Sequence, residues 1–443
     1  MNTANDMTIG KVSENILKFF FPMLCANLLQ QIYSVADIAV VGKGIGDNAL
    51  AAVGIIASVS LLMIGFSMGL TNGFSVIIAQ ACGSGDFGRI RKTVWQSVKL
   101  CAAAALILTA LSLIFIKDIL NIMQTDTSIM NDTLIYGRII FGGLAVTVAY
   151  NLCSGILRAL GDSKTPFKAI IISSSINILL DIVFIFPLKT GVSGAAAATV
   201  ISQLVSVIIC FRKIRKTDIM SFDPKDFRSD TEISLLLLKN GLPMAFMNSL
   251  TAVGCMIMQS YINKLGVDYT SAYSVCSKYL NLFMLPSITA GFTISAFTGQ
   301  NFGAKKIDRI KAGVRIGLVI AFISYIILGL IMHIFPTQLA RLMLSGENAV
   351  KFTAEYIKVL GITLIGVNCI FIFRNAVQGM GCPTIPMISG ILEMLLRLAA
   401  VYVLVPKFGF IATAYADAAA WAGALLLNMT AYFILIRKKC PSE

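Results

Sequence analysis

Twelve long apolar runs dominate this chain. They fall near 16–41, 49–80, 93–116, 133–157, 166–187, 192–211, 235–262, 270–299, 312–335, 352–377, 384–406 and 409–436. Each is long enough to cross a hydrocarbon core of roughly 30 Å, for which a helix needs about 20 residues. In lipid every backbone N–H and C=O must be satisfied internally, so a spanning segment is either a helix or part of a closed barrel. A barrel requires short segments that alternate apolar and polar residues. These runs are continuous, which predicts an all-α membrane protein with 12 transmembrane helices. Composition agrees: 57% of the 443 residues are hydrophobic, 13% are charged, and the mean hydropathy is +0.83.

The net charge of +14 is explained by topology, and no basic stripe is left over for nucleic acid. Of 36 Lys and Arg, 25 sit at alternate helix ends, among them Arg89, Arg91, Lys92, Arg158, Arg212, Lys213, Arg309, Arg374 and Arg437. Basic residues concentrate on cytoplasmic loops, so both termini are expected in the cytoplasm. Other classes fall away on specific grounds. The ten Cys lie mostly within spans and form no C-x-x-C, which reads as small apolar packing. His333 is the only histidine, so a His-based metal site is not expected. No P-loop is present, since GKGIGDNA at 42–49 does not fit G-x-x-x-x-G-K-[ST]. Nothing implies an enzyme or a cofactor.

The chain reads as one half written twice. A shift of 220 residues sets AQACGSGDFGRIRK (79–92) against GQNFGAKKIDRIKA (299–312), pairing Gln80 with Gln300, Gly83 with Gly303 and Arg89 with Arg309. The same shift pairs Gly161 with Gly381 and Pro166 with Pro386, and a shift of 221 pairs Pro22 with Pro243. Each half holds six helices, an even number, so the halves are parallel repeats. The expected organisation is an N-terminal lobe over 1–211, a cytoplasmic linker over 212–232 and a C-terminal lobe over 233–443. Such lobes enclose a central cavity and rock about it.

Ionisable residues inside spans are functional-site hypotheses by default. Asp37 lies in the first span and Asp181 in the fifth, with no Lys or Arg beside either at that depth. Gln30, Tyr33 and Asp37 share a helix face, as do Asn177 and Asp181. Thr199, near the start of the sixth span, is expected at the same depth, with Gln203 continuing its polar stripe. Two carboxylates, an amide and a hydroxyl suit a hard cation or shared protons. The second lobe differs. At the repeat offsets Asp37 corresponds to about Met258, Asn177 to Arg397 and Thr199 to about Asp417. Glu393 and Arg397 are four apart on one helix, where an ion pair forms readily. That pair is expected to be structural, with Asp417 a candidate third member.

On these features the sequence resembles the multidrug and toxic compound extrusion (MATE) family, in the branch with a first-lobe cation or proton site. The resemblance rests on the doubled six-helix plan, the Gln-x-x-Gly sequences after helices two and eight, and LRALGDSKTP at 157–166. It implies a coupling site of Asp37, Asn177, Asp181 and Thr199, and a helix-bending role for Pro22. Gln30, Tyr33, Gln203, Met258 and Asp417 are candidate cavity-lining residues. The implied function is secondary active efflux of organic, often cationic amphipathic compounds in antiport with H⁺ or Na⁺ by alternating access. The partners would be small organic substrates and membrane lipid, with no nucleic acid and no metal beyond Na⁺ at the coupling site. The protein would work as a monomer, a multi-pass protein of a prokaryotic plasma membrane. The alternative is a flippase for a lipid-linked sugar or other lipid, which would need a basic cavity for pyrophosphate; Arg397 is the one deep base on offer.

Overall fold

The computed structural model describes residues 6–217 and 228–439, apart from the side chains of Ile38, Asp47 and Lys439. Part of the expected linker, including Lys225, and the four C-terminal residues lie outside the described residues. Among the described residues every regular element is helical.

In chain order the first seven helices are α1 (Val12–Gly44), α2 (Asp47–Gly83), α3 (Phe87–Ile122), α4 (Thr127–Gly142), α5 (Leu144–Ala159), α6 (Lys164–Ile185) and α7 (Val192–Arg215). The second seven are α8 (Thr231–Asn263), α9 (Val267–Gly303), α10 (Ile307–Ile334), α11 (Pro336–Arg341), α12 (Glu347–Gly379), α13 (Thr384–Phe408) and α14 (Ala412–Lys439). The shortest unbroken span, α6, has 22 residues, or about 33 Å at 1.5 Å per residue. That suffices for the membrane core.

Counting α4 and α5 as one span gives the twelve expected crossings, with α11 a short extra turn. Two details differ from the pattern of apolar runs. The fourth span is not one helix over 133–157; α4 and α5 meet at a bend of 41°. The break is at Gly143, where a Cβ would lie 2.4 Å from Val200 Cγ2 of α7. The missing side chain lets α7 press into the break. The eleventh and twelfth spans are joined by only one 3₁₀ turn, Gly409–Ile411.

The repeat is written in the backbone as well. Gly46 and Gly266, 220 apart, open α2 and α9 with φ of +114° and +128°. Gly161 and Gly381, also 220 apart, close α5 and α12 with φ of +84° and +81°. These are conformations that a side chain resists, so the pairs specify the same turns in both halves.

The chain divides into two compact units. Among the described residues, one comprises residue 6 and those of 21–245, the other 7–20 and 246–439. The opening helix of each half is therefore shared: α1 changes unit after Phe20, and α8 changes after Ala245. Within the first unit a core around Leu70, Phe74, Ile78, Leu157 and Leu237 packs α2, α5 and the start of α8 together. Gly69 and Gly73 of α2 let the α8 backbone approach: a Cβ on Gly73 would lie 2.5 Å from both Asn240 O and Gly241 Cα. This is the small-residue packing that joins helices in lipid. In the second unit Met258, Tyr356, Leu360, Val401, Phe410 and Trp421 form the core. Outward side chains such as Ile107, Ile114 and Ile327 stay exposed, as lipid-facing residues should.

Gly73→Val should cost on the order of 1–3 kcal/mol, because backbone atoms of α8 cannot move aside as a flexible side chain can. Thermal unfolding in detergent checks this. Gly54→Ala, where a Cβ meets nothing within 4 Å, is the matched control. Equal melting temperatures for the two variants would refute the close approach.

Candidate functional site

Asp37, Asn177, Asp181 and Thr199 come from α1, α6 and α7, all within the first unit. Asn177 and Asp181 are one turn apart on α6 and both are fully buried. Asp37 and Tyr33, a turn apart on α1, are half-buried. The Asn177 carboxamide is oriented by its surroundings. With Nδ2 toward the two oxygens it donates to Tyr33 Oη and to Asp181 Oδ2, each at 2.8 Å. Its Oδ1 then accepts from the Thr199 backbone N–H at 3.2 Å. One amide thus ties three helices together.

Asp181 Oδ1 is buried with no donor facing it. The Asp37 carboxyl lies within hydrogen-bonding reach of Asp181. Two carboxyls share a hydrogen bond only when one of them carries a proton. Among the described residues no Lys or Arg pairs with either acid. The set offers oxygen ligands for a hard cation or a place for a shared proton, and nothing in it neutralises two negative charges at once.

The other first-lobe residues have varied places. Thr199 takes part through its N–H, while its hydroxyl donates back to Ala195 O at 3.0 Å. Gln203 accepts from Thr147 Oγ1 at 2.6 Å and so braces α7 against α5. Gln30 is exposed and makes no hydrogen bond to the cluster. Pro22 is inside α1, one residue past the point where that helix changes unit. Tyr136 of α4 was not singled out from sequence. It is 8% exposed and close enough to feel both acids. A tyrosine in an apolar run carries no signal until the fold turns it toward a charge.

The second-lobe residues form a closed ionic network. Arg397 donates from Nε to Asp417 Oδ1 at 2.6 Å and from Nη2 to Glu393 Oε1 at 3.2 Å. Arg374 Nη2 donates to Glu393 Oε2 at 2.8 Å. Tyr356 Oη donates to the other Asp417 oxygen at 2.9 Å. The expected Glu393–Arg397 pair is present, and Asp417 is its third member. Arg374, expected as a helix-end topology charge, is instead a buried fourth member. Two bases and two acids balance. Met258, a candidate cavity-lining residue, is 1% exposed inside the core, and Asp417 is fully occupied by its partners.

Comparison with known proteins agrees with this architecture. The MatE family model matches twice, over residues 22–183 and 243–403. The chain belongs to the MatE family. Those two matches fall in the two halves of the repeat and cover most of the chain. Its relatives include the probable multidrug resistance protein YoeA of Bacillus subtilis (strain 168), 30% identical over 339 residues, covering 74% of this chain and 73% of YoeA. Another is an FAD transporter of Shewanella oneidensis, 22% identical, with 88% and 86% covered. A solved transporter of the MOP superfamily from Pyrococcus furiosus has the same fold, with a TM-score of 0.92, 22% identity and 99% of each chain covered. The protein is therefore a multi-pass transporter of a prokaryotic membrane, not an enzyme.

Breaking a buried ion pair by deleting one partner costs about 3–5 kcal/mol. Arg397→Met should destabilise the protein on that scale, since it strands Asp417 and weakens the hold on Glu393. Adding Asp417→Asn should recover part of the loss, and thermal unfolding of the single and double variants measures it. A double variant no more stable than the single would contradict the network.

Proposed function

We propose that this chain is a secondary active exporter of organic, often cationic amphipathic compounds, driven by inward flow of H⁺ or Na⁺ through the first-lobe acids. The observation that carries the reading is the Asp37–Asp181 pair with no base beside it among the described residues. Such a pair accepts a proton or a small cation and changes charge by one when it does. The Asn177 amide passes that change to α1 and α7, since it bridges Tyr33, Asp181 and the Thr199 N–H. An organic cation and the coupling ion then compete for the same negative charge. Each must prefer a different conformation, because a ligand with equal affinity for both shifts nothing. This is alternating access with mutual exclusion, and Pro22, whose ring removes a backbone hydrogen bond inside α1, is where that helix can bend.

One coupled charge moving across 100 mV supplies about 2.3 kcal/mol, enough for roughly a 50-fold concentration gradient of cargo. With both termini in the cytoplasm, as the basic-residue asymmetry predicts, the acids lie toward the outer side of the membrane. The relatives described as multidrug resistance or export proteins support a broad organic cargo. The flippase alternative loses its main support, because Arg397, the base it would need for pyrophosphate, is bonded to Glu393 and Asp417.

The test is efflux of a fluorescent cationic dye from proteoliposomes under an imposed pH or Na⁺ gradient. Wild type should export the dye under one of the two gradients. Asp37→Asn and Asp181→Asn should each lose gradient-driven export while remaining folded. Unchanged export by both variants at equal protein would sink the first-lobe site.

A further inference from the structure

The start of α1 is gripped by side chains of the second unit, and the grip has the form of a clamp. Residues Met7–Gly10 precede the helix as a tight strap in which Met7 is 1% exposed. The Met7 N–H donates to Gln300 Oε1 at 2.9 Å. Arg309 commits four of its five N–H donors here. Nη2 donates to Met7 O at 3.0 Å and to Ile9 O at 3.1 Å, Nη1 to Gly10 O at 2.8 Å, and Nε to Asn301 Oδ1 at 3.0 Å. Lys306 Nζ donates to Thr8 O at 2.8 Å. Gly10, at φ +73°, turns the strap into the helix. Arg309 and Lys306 reach the strap through its backbone carbonyls, so these bonds hold the course of the chain whatever side chains stand there.

The path of α1 beyond the clamp leads to the acids. The helix leaves this unit after Phe20, meets Pro22 two residues later, and carries Tyr33 and Asp37 further on. Pro22 to Asp37 is 15 residues, about 22 Å of helix. The other half repeats the plan. Gln96 Nε2 donates to Arg228 O at 2.7 Å and Ser234 Oγ donates to Gln96 Oε1 at 3.2 Å, around the point where α8 begins its run in the first unit. That helix leaves after Ala245, beside Pro243. At the position of Asp37, however, α8 has Met258. Of these two holds, the α1 clamp is the one on a helix that carries a coupling acid.

We propose that Arg309, with Gln300 and Lys306, is a positioning residue for ion coupling: it fixes the start of α1, so that bending beyond Phe20 moves Tyr33 and Asp37 against Asn177 and Asp181. This rests on the first-lobe reading above. With the start released, α1 slides or frays, and the same bend no longer sets the acids into one of two positions. Ion binding and cargo release then lose their strict link while the site itself stays assembled.

Arg309→Lys is the variant of choice, because it keeps the charge and loses the planar fork that reaches three carbonyls. Two readouts are taken on the purified, full-length protein. Hydrogen exchange of the amides over 11–20 should rise about tenfold, the loss expected from one or two charge-assisted hydrogen bonds, while α9 and α10 keep wild-type protection. The ion concentration for half-maximal dye efflux should shift about tenfold, with dye affinity in the absence of a gradient unchanged. Gln96→Ala, which loosens α8 instead, should leave that ion dependence at the wild-type value. Should Arg309→Lys fold poorly, Lys306→Gln removes a single bond and reads the same changes at smaller amplitude. Loosened exchange with an unaltered ion dependence would reduce the clamp to packing, unaltered exchange would show that Arg309 does not hold α1, and an equal shift in Gln96→Ala would remove the link to Asp37. Asp181→Asn runs in parallel. If it still couples, the first-lobe reading fails and the clamp fails with it; if it does not couple while Arg309→Lys behaves as wild type, the clamp alone is wrong.

Discussion

A carboxyl group surrounded by hydrocarbon side chains must find a base, a cation or a proton, and among the described residues no base pairs with Asp37 or Asp181. Much of the first unit is arranged around that demand. Asn177 accepts the Thr199 N–H and directs its own two N–H groups to Tyr33 and Asp181, which leaves Asp181 one oxygen without a donor. The deficit is local, of a size that one small ion or proton would satisfy. Two of the three helices the site draws on also pack at their ends: a Cβ on Gly44, at the end of α1, would lie 2.5 Å from Ile185 at the end of α6.

The second unit uses the same scaffold to the opposite electrostatic end. Where the first half has Asn177 the second has Arg397, and within two positions of the counterpart of Thr199 the second has Asp417. Those exchanges, together with Glu393 and Arg374, close a network in which every charge has a partner of opposite sign within 3.2 Å. Buried pairs of this kind are not a large net source of stability, because desolvation offsets most of the attraction. Their effect is to make any one-sided change costly. One half of the chain is therefore electrostatically open and the other closed, although their backbones turn at the same glycines.

The spans, the repeat and the second-lobe ion pair were legible in the sequence, for physical reasons. Hydrocarbon admits few backbone solutions, so a long apolar run reads as a helix. Residues at i and i+4 face one way, so Glu393 and Arg397 announce each other, as do Asn177 and Asp181. What could not be read depends on distant partners. The break at Gly143 lies within an apolar run, and its cause, Val200, is on another helix. Arg374 looks like a helix-end charge until α12 and α13 are seen to place it beside Glu393. Tyr136 becomes relevant only when α4 turns it toward the acids. The carbonyls of Met7, Ile9 and Gly10 are held by Arg309, some 300 positions away along the chain, and no local pattern marks it.

If the carboxyl pair holds one ion in competition with cargo, binding of cargo must expel that ion. The direct measurement is ion release on cargo binding by purified protein in detergent, read with a pH indicator in weak buffer and, separately, with radioactive Na⁺. Adding the dye to wild type should release about one proton or one Na⁺ per protein, and Asp181→Asn should bind the dye and release neither. Dye binding to wild type without release, or equal release from Asp181→Asn, would contradict the competition.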